Sequence, residues 1–231
     1  MLGPIDYILW FGSVLLEGYV VVCSLRHREF LRYFTLNFYL LATLAITVLH
    51  FYYYRAFGLT SPQYTYAYYW GDSLETILLF FVVMSLYQYV FEELGVTRHI
   101  RAASILLLGG TAVISYAIVH EHSDQLATRF VVGLSQNLYF VGVVLSYLLW
   151  GAVMKLRETR TRLIQLVLSL GVYFSAYAAV YALRNMMPDL AFLKLIPPIV
   201  GTWLPLSWAY TFTKVPEEAR LATARVATPH R

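Results

Sequence analysis

Apolar residues run along this chain in seven long stretches, at about 4–25, 33–55, 65–91, 102–119, 129–153, 162–183 and 192–213, separated by short polar interruptions. A helix that crosses a bilayer needs roughly 20 mostly apolar residues. Backbone groups in hydrocarbon must bond within their own element, so runs of this length predict helices and exclude barrel strands. The pattern predicts an all-α, polytopic membrane protein: a seven-transmembrane-helix bundle over 1–215, followed by a short cytoplasmic tail at 216–231.

Composition agrees with lipid as the main solvent. Of 231 residues, 59% are hydrophobic and only 13% charged, and the mean hydropathy is +0.61. That is too little charge to cover a soluble domain of this size. The N-terminal residues lack the basic stretch that precedes a cleavable signal, so the first run is expected to remain as a helix. The single cysteine, Cys23, excludes an intrachain disulfide and a multi-cysteine metal site.

The positive residues set a direction. Arg26, Arg28, Arg32, Arg98, Arg101, Lys155, Arg157, Arg160, Arg162, Lys214, Arg220, Arg225 and Arg231 fall on one side of the predicted topology, and Arg55, Arg129, Arg184 and Lys194 on the other. Lysine and arginine near helix ends are retained in the cytoplasm, which predicts an outer N-terminus, a cytoplasmic C-terminus and a place in the plasma (inner) membrane. The same asymmetry accounts for the net charge of +4 without nucleic acid.

Ionisable side chains inside a bilayer cost on the order of 2.5–3.5 kcal/mol at its centre and normally turn inward to a partner or to water. Glu17 lies near the middle of the first stretch, Asp6 near its outer end, and Asp72 and Glu75, three residues apart on one face, in the outer half of the third. His50 lies in the outer part of the second, and Gln136 and Asn137 lie about 12 Å into the fifth at 1.5 Å per residue. In a single bundle these groups converge on an outward-facing pocket. Glu17, His50, Asp72, Glu75, Gln136 and Asn137 are the candidate ligand- or proton-binding residues, and Asp6, Arg55, Tyr69, Arg184 and Lys194 the candidate rim.

Other features read first as structure. The tyrosines at 52–54 and 64–69 read first as an interfacial aromatic belt and second as a collar that grips a ligand. Gly171, Ser175 and Ala179 allow close helix approach, and Tyr173, Tyr177 and Tyr181 make a second stripe that reads as packing. Pro197, Pro198, Gly201 and Pro205 predict a kinked seventh helix beside a polar cavity. The segment Lys155–Arg162 reads as a topology anchor on anionic lipid, and the tail either as a short helix that contacts a partner or as a frayed end.

No metal or cofactor is expected. His120, Glu121, His122 and Asp124 make a solvated loop cluster rather than a site, and a b-type haem wants two facing histidines where only His50 is clearly within a span. A retinal pigment needs a lysine midway along the last helix, whereas Lys194 and Lys214 stand at its two ends. No nucleophile and base are recognisable by spacing, so the balance is against an enzyme. In architecture alone the chain resembles the seven-helix sensory modules at the N-termini of some bacterial histidine kinases and cyclases.

The leading expectation is a sensory protein that receives a small molecule or ion from outside and signals through a separate cytoplasmic or membrane partner. A small transporter or channel using the intramembrane carboxylates is the alternative, and a structural subunit of a membrane complex the third. With Glu17 as the central ionisable group, Glu17→Gln is expected to change the pH dependence of ligand binding or transport while leaving folding intact. A pH profile identical to that of the native chain would remove Glu17 from that role.

Overall fold

The structure, a computed structural model, describes residues 4–26, 29–92, 95–120, 126–156, 160–187 and 196–215. Among the described residues there are seven helices and no strand: α1 (Pro4–Arg26), α2 (Phe34–Phe57), α3 (Pro62–Val90), α4 (Thr97–His120), α5 (Leu126–Lys155), α6 (Thr161–Met186) and α7 (Ile196–Lys214). Five of them, α2 to α6, are long and apolar enough to cross a membrane by themselves. α4 begins at Thr97, earlier than the apolar run does, because its first turn is polar and still helical. The tail at 216–231, the cluster at 121–124 and part of the basic segment after Lys155 lie outside the described residues.

Local chemistry sets the connections. α2 ends at Gly58, whose φ of 82° is left-handed and favours glycine. Ser61 then caps α3 by accepting a hydrogen bond from the Tyr64 amide at 3.1 Å, and Pro62 occupies the first turn, where its missing N–H costs nothing. Gly95, with φ of 65°, makes the turn before α4.

Helix neighbours trace a closed ring in the order α1, α2, α3, α5, α6, α7 and back to α1, with α4 outside it against α3 and α5. Leucines, valines and isoleucines such as Leu15, Val48, Ile105, Leu106, Val113 and Leu148 face outward and exposed, as lipid contact requires. Inside the ring, Leu36, Leu79, Phe80, Leu166, Trp208 and Phe212 form a fully buried layer. Close approach is built in at Gly142 of α5, where a Cβ would stand 2.3 Å from the ring of the wholly buried Phe174 of α6.

The two ends of the ring differ. One holds the ends of α2 and α6 and the starts of α1, α3 and α7, and is rich in tyrosine. The other is rich in arginine and is stitched shut. Arg162 at the start of α6 pairs with Glu29, donates to the Val215 carbonyl beyond α7 through Nε at 3.1 Å and Nη2 at 2.9 Å, and lies over the Phe212 ring. Arg160 donates to the Tyr89 carbonyl of α3 at 2.7 Å. Asn37, fully buried, donates to Ser24 Oγ of α1 at 2.9 Å and to the Tyr33 carbonyl at 3.0 Å. Arg160 and Arg162, within a segment expected to touch lipid headgroups, therefore serve internal packing, which their spacing alone did not reveal.

The contrast between two glycines of α5 tests the α5–α6 contact. Gly142→Ala is expected to lower stability by about 1–3 kcal/mol through overpacking, whereas Gly151→Ala, with open space around it, is expected to be neutral or stabilising by up to about 1 kcal/mol. Thermal unfolding in detergent reads both; equal behaviour of the pair would show that α5 and α6 are not in this close contact.

Candidate functional site

Five helices of the ring each turn one stripe of side chains inward at the tyrosine-rich end. Residues three or four apart share a helix face, and the stripes are Trp10, Ser13 and Glu17 on α1; Tyr39, Thr43, Thr47, His50 and Tyr54 on α2; Tyr64, Tyr68, Asp72 and Glu75 on α3; Tyr173, Tyr177, Tyr181 and Arg184 on α6; and Pro198, Gly201, Pro205 and Trp208 on α7. Together they enclose a cavity of about 440 Å³, within the roughly 300–1,000 Å³ typical of small-molecule sites. From Tyr64 to Glu75 it extends about 16 Å along α3 at 1.5 Å per residue.

Three carboxyl groups enter this space from two helices. Glu17 comes from α1, and Asp72 and Glu75 from α3, with Glu75 within electrostatic reach of the other two. Glu17 is only 6% exposed, and its Oε2 has no hydrogen-bond partner among the described residues. His50 Nε2 donates to the Ala67 carbonyl of α3 at 3.2 Å, and the ring packs on Tyr68. Gly71 makes that approach possible, since a Cβ there would meet His50 Nε2 at 2.5 Å.

The walls are aromatic. Tyr173 and Tyr177 lie 4.7 Å apart on α6, and Tyr139 of α5 stacks behind Tyr177 at 4.7 Å with the rings nearly parallel. Tyr177 donates to the Pro197 carbonyl at 3.4 Å, tying α6 to the start of α7. Pro205 lies inside α7 and has no N–H, so the Gly201 carbonyl four residues earlier lacks its helical donor in the stretch that borders the cavity. The floor is Trp208, whose Nε1 donates to Ser169 Oγ at 2.9 Å, with Tyr39 set edge-on against it. Below that floor lies the apolar layer of the arginine-rich half.

Of the residues singled out in the sequence, Glu17, His50, Asp72, Glu75 and Arg184 line this one cavity. Gln136 and Asn137 do not: Asn137 donates to Ser115 Oγ of α4 at 2.9 Å and joins α5 to the helix outside the ring. Arg55 is exposed and is not among the lining residues, and Tyr69 stands beside the lining Tyr68 without joining it. Lys194 and the side chain of Asp6 lie outside the described residues. The tyrosines of α6, read as packing, and Tyr39 were missed as lining, while Tyr54, Tyr64 and Tyr68, read first as a belt, line the cavity as the collar reading has it. Their signal was present: 64-68-72-75 and 173-177-181-184 share one spacing, and each carries charge at its end.

Among the described residues no group of three or more histidine, cysteine, aspartate or glutamate side chains is close enough to hold a metal ion. The chain matches no family model, no curated protein and no solved structure. What the site does is therefore read from its own geometry.

The displaced role of Asn137 can be measured. A double-mutant cycle of Asn137→Ala and Ser115→Ala is expected to give a coupling of about 0.6 kcal/mol in thermal or denaturant unfolding, the average for hydrogen bonds between membrane helices. A coupling indistinguishable from zero would show that the two side chains do not bond.

Proposed function

We propose that this chain is a membrane receptor with seven spans, its N-terminus outside and its C-terminus in the cytoplasm, whose cavity receives a small ligand from the outer face of the plasma membrane. The orientation rests on the basic residues. Arg26, Arg32, Arg98, Arg101, Lys155 and Lys214 sit at the arginine-rich end together with the two buried arginines, against Arg55, Arg129 and Arg184 at the other. α1 and α7 count as spans because each lies beside membrane-crossing helices around the ring, α1 against α2 and α7 against α6.

The observation that carries the receptor reading is the floor. The residues lining the cavity run from the tyrosines down to Trp208 and no further, and the buried Leu36, Leu79, Phe80, Leu166 and Phe212 of the arginine-rich half are not among them. A closed, one-sided site suits binding and response better than passage. The lining stretch of α7, which lacks one backbone hydrogen bond at Pro205 and is tied to α6 through Tyr177, is the element positioned to move when the cavity fills, and a separate protein at the cytoplasmic end would read that movement. A small transporter is the second reading, favoured by that same interrupted helix beside intramembrane carboxyls.

Thiol labelling separates the two. In a Cys23→Ser background, Thr47→Cys places a thiol on the cavity wall. A membrane-impermeant maleimide is expected to label it from the outside only. Labelling from both faces would replace the receptor by a transport path, and labelling from the cytoplasmic face alone would reverse the orientation.

A further inference from the structure

We propose that the ligand of this cavity is a small protonated organic amine, a primary or secondary ammonium carried on an apolar or aromatic body; this rests on the ligand-receiving reading above. The first ground is the unsatisfied acceptor. Glu17 Oε2 is buried against the cavity with no partner among the described residues, and a buried carboxyl oxygen without a donor costs of the order of 1–3 kcal/mol. A ligand N–H supplies that donor.

The second ground is charge. Glu17, Asp72 and Glu75 share one enclosed space, and Arg184, the only described arginine or lysine among the lining residues, stands exposed at the lip. Buried like charges are relieved either by taking up protons or by a compensating cation, and a cationic ligand exploits the second route. An ammonium deep in the cavity provides it next to Glu17 and Glu75, beyond the turn of α6 that carries Arg184.

The third ground is the shape of the surroundings, which selects among cations. A bare divalent ion needs several oxygens converging at about 2.3–2.6 Å, and the described acidic side chains are not clustered closely enough to hold a metal ion. They are spread around 440 Å³ of space, which an organic cation fills and a metal ion does not. Tyr39, Tyr68, Tyr173 and Tyr177 line the space and give the body of the ligand aromatic surroundings. A quaternary ammonium would fit those surroundings yet leave Glu17 Oε2 without a donor, so the geometry points to an amine that keeps its N–H groups.

The test uses the full chain in phosphatidylcholine nanodiscs, whose neutral headgroups do not concentrate cations. Thermal stability is followed against phenethylammonium, its neutral isostere phenethyl alcohol, the anion 3-phenylpropionate, phenyltrimethylammonium and calcium ion. The expected result is saturable stabilisation by phenethylammonium well above that from the other four. Glu17→Gln should weaken it about tenfold or more, the loss expected for one charged hydrogen bond. Glu75→Gln provides the same comparison should Glu17→Gln fail to fold.

Stabilisation by the alcohol or the carboxylate equal to that by the amine would overturn the amine assignment and leave the ligand-receiving reading standing. Stabilisation by calcium or the quaternary ion in place of the amine would likewise overturn the assignment, but not the reading. Binding of the amine unchanged by both glutamine variants would overturn carboxyl recognition. No response to any of the probes would count against both.

Discussion

Hydrocarbon offers no partner to a peptide group or to a charge, and this bundle is arranged around that constraint. It makes every long apolar run a helix, and it forces the few ionisable groups within those helices to the inside. The closure of the ring by α1 against α7 is what gives them an inside. With α1 in place, Glu17 faces Asp72 and Glu75 across an enclosed space; without it, two carboxyl-bearing faces would open to lipid. α4, which carries no intramembrane carboxyl, is the helix left outside the ring, bonded to α5 through Asn137 and Ser115.

The two halves of the ring differ in how their interiors are filled. At one end Arg160, Arg162 and Asn37 spend their donors on backbone carbonyls and side chains of neighbouring elements, among large buried apolar side chains. At the other end the interior is lined by hydroxyls, carboxyls and aromatic residues that leave space between them. Filled packing on one side and a cavity on the other is the arrangement expected where ligand contacts complete a structure rather than disturb it. Pro205, with Gly201 one turn away, puts the weakest piece of helical backbone in direct contact with that space.

Much of the candidate site was legible before any coordinates. Glu17, His50, Asp72 and Glu75 were marked by the cost of burying them in lipid, which depends on residue type and depth alone, and Arg184 by its place at a helix end on the outer side. Asn137 was marked on the same ground but turned to α4, because depth along a helix says nothing about which neighbour the residue faces. The tyrosines of α6 failed in the opposite direction. Their stripe was visible, but a tyrosine face packs on a helix as readily as it lines a cavity, and only the position of α1, α2, α3 and α7 around α6 decides between them.

The sequence by itself determined the all-helical, membrane-suited character and, to within several residues, where the helices lie, since these follow from hydropathy that acts within one segment. It also determined that a handful of carboxyls would need company. The tertiary structure decided which helices became neighbours, that α4 stands outside, that Arg160 and Arg162 tie elements together, and that the cavity ends at Trp208. Those outcomes depend on contacts between segments far apart in the chain, where the fit of one helix face to another, and not the composition of either, sets the lowest free energy.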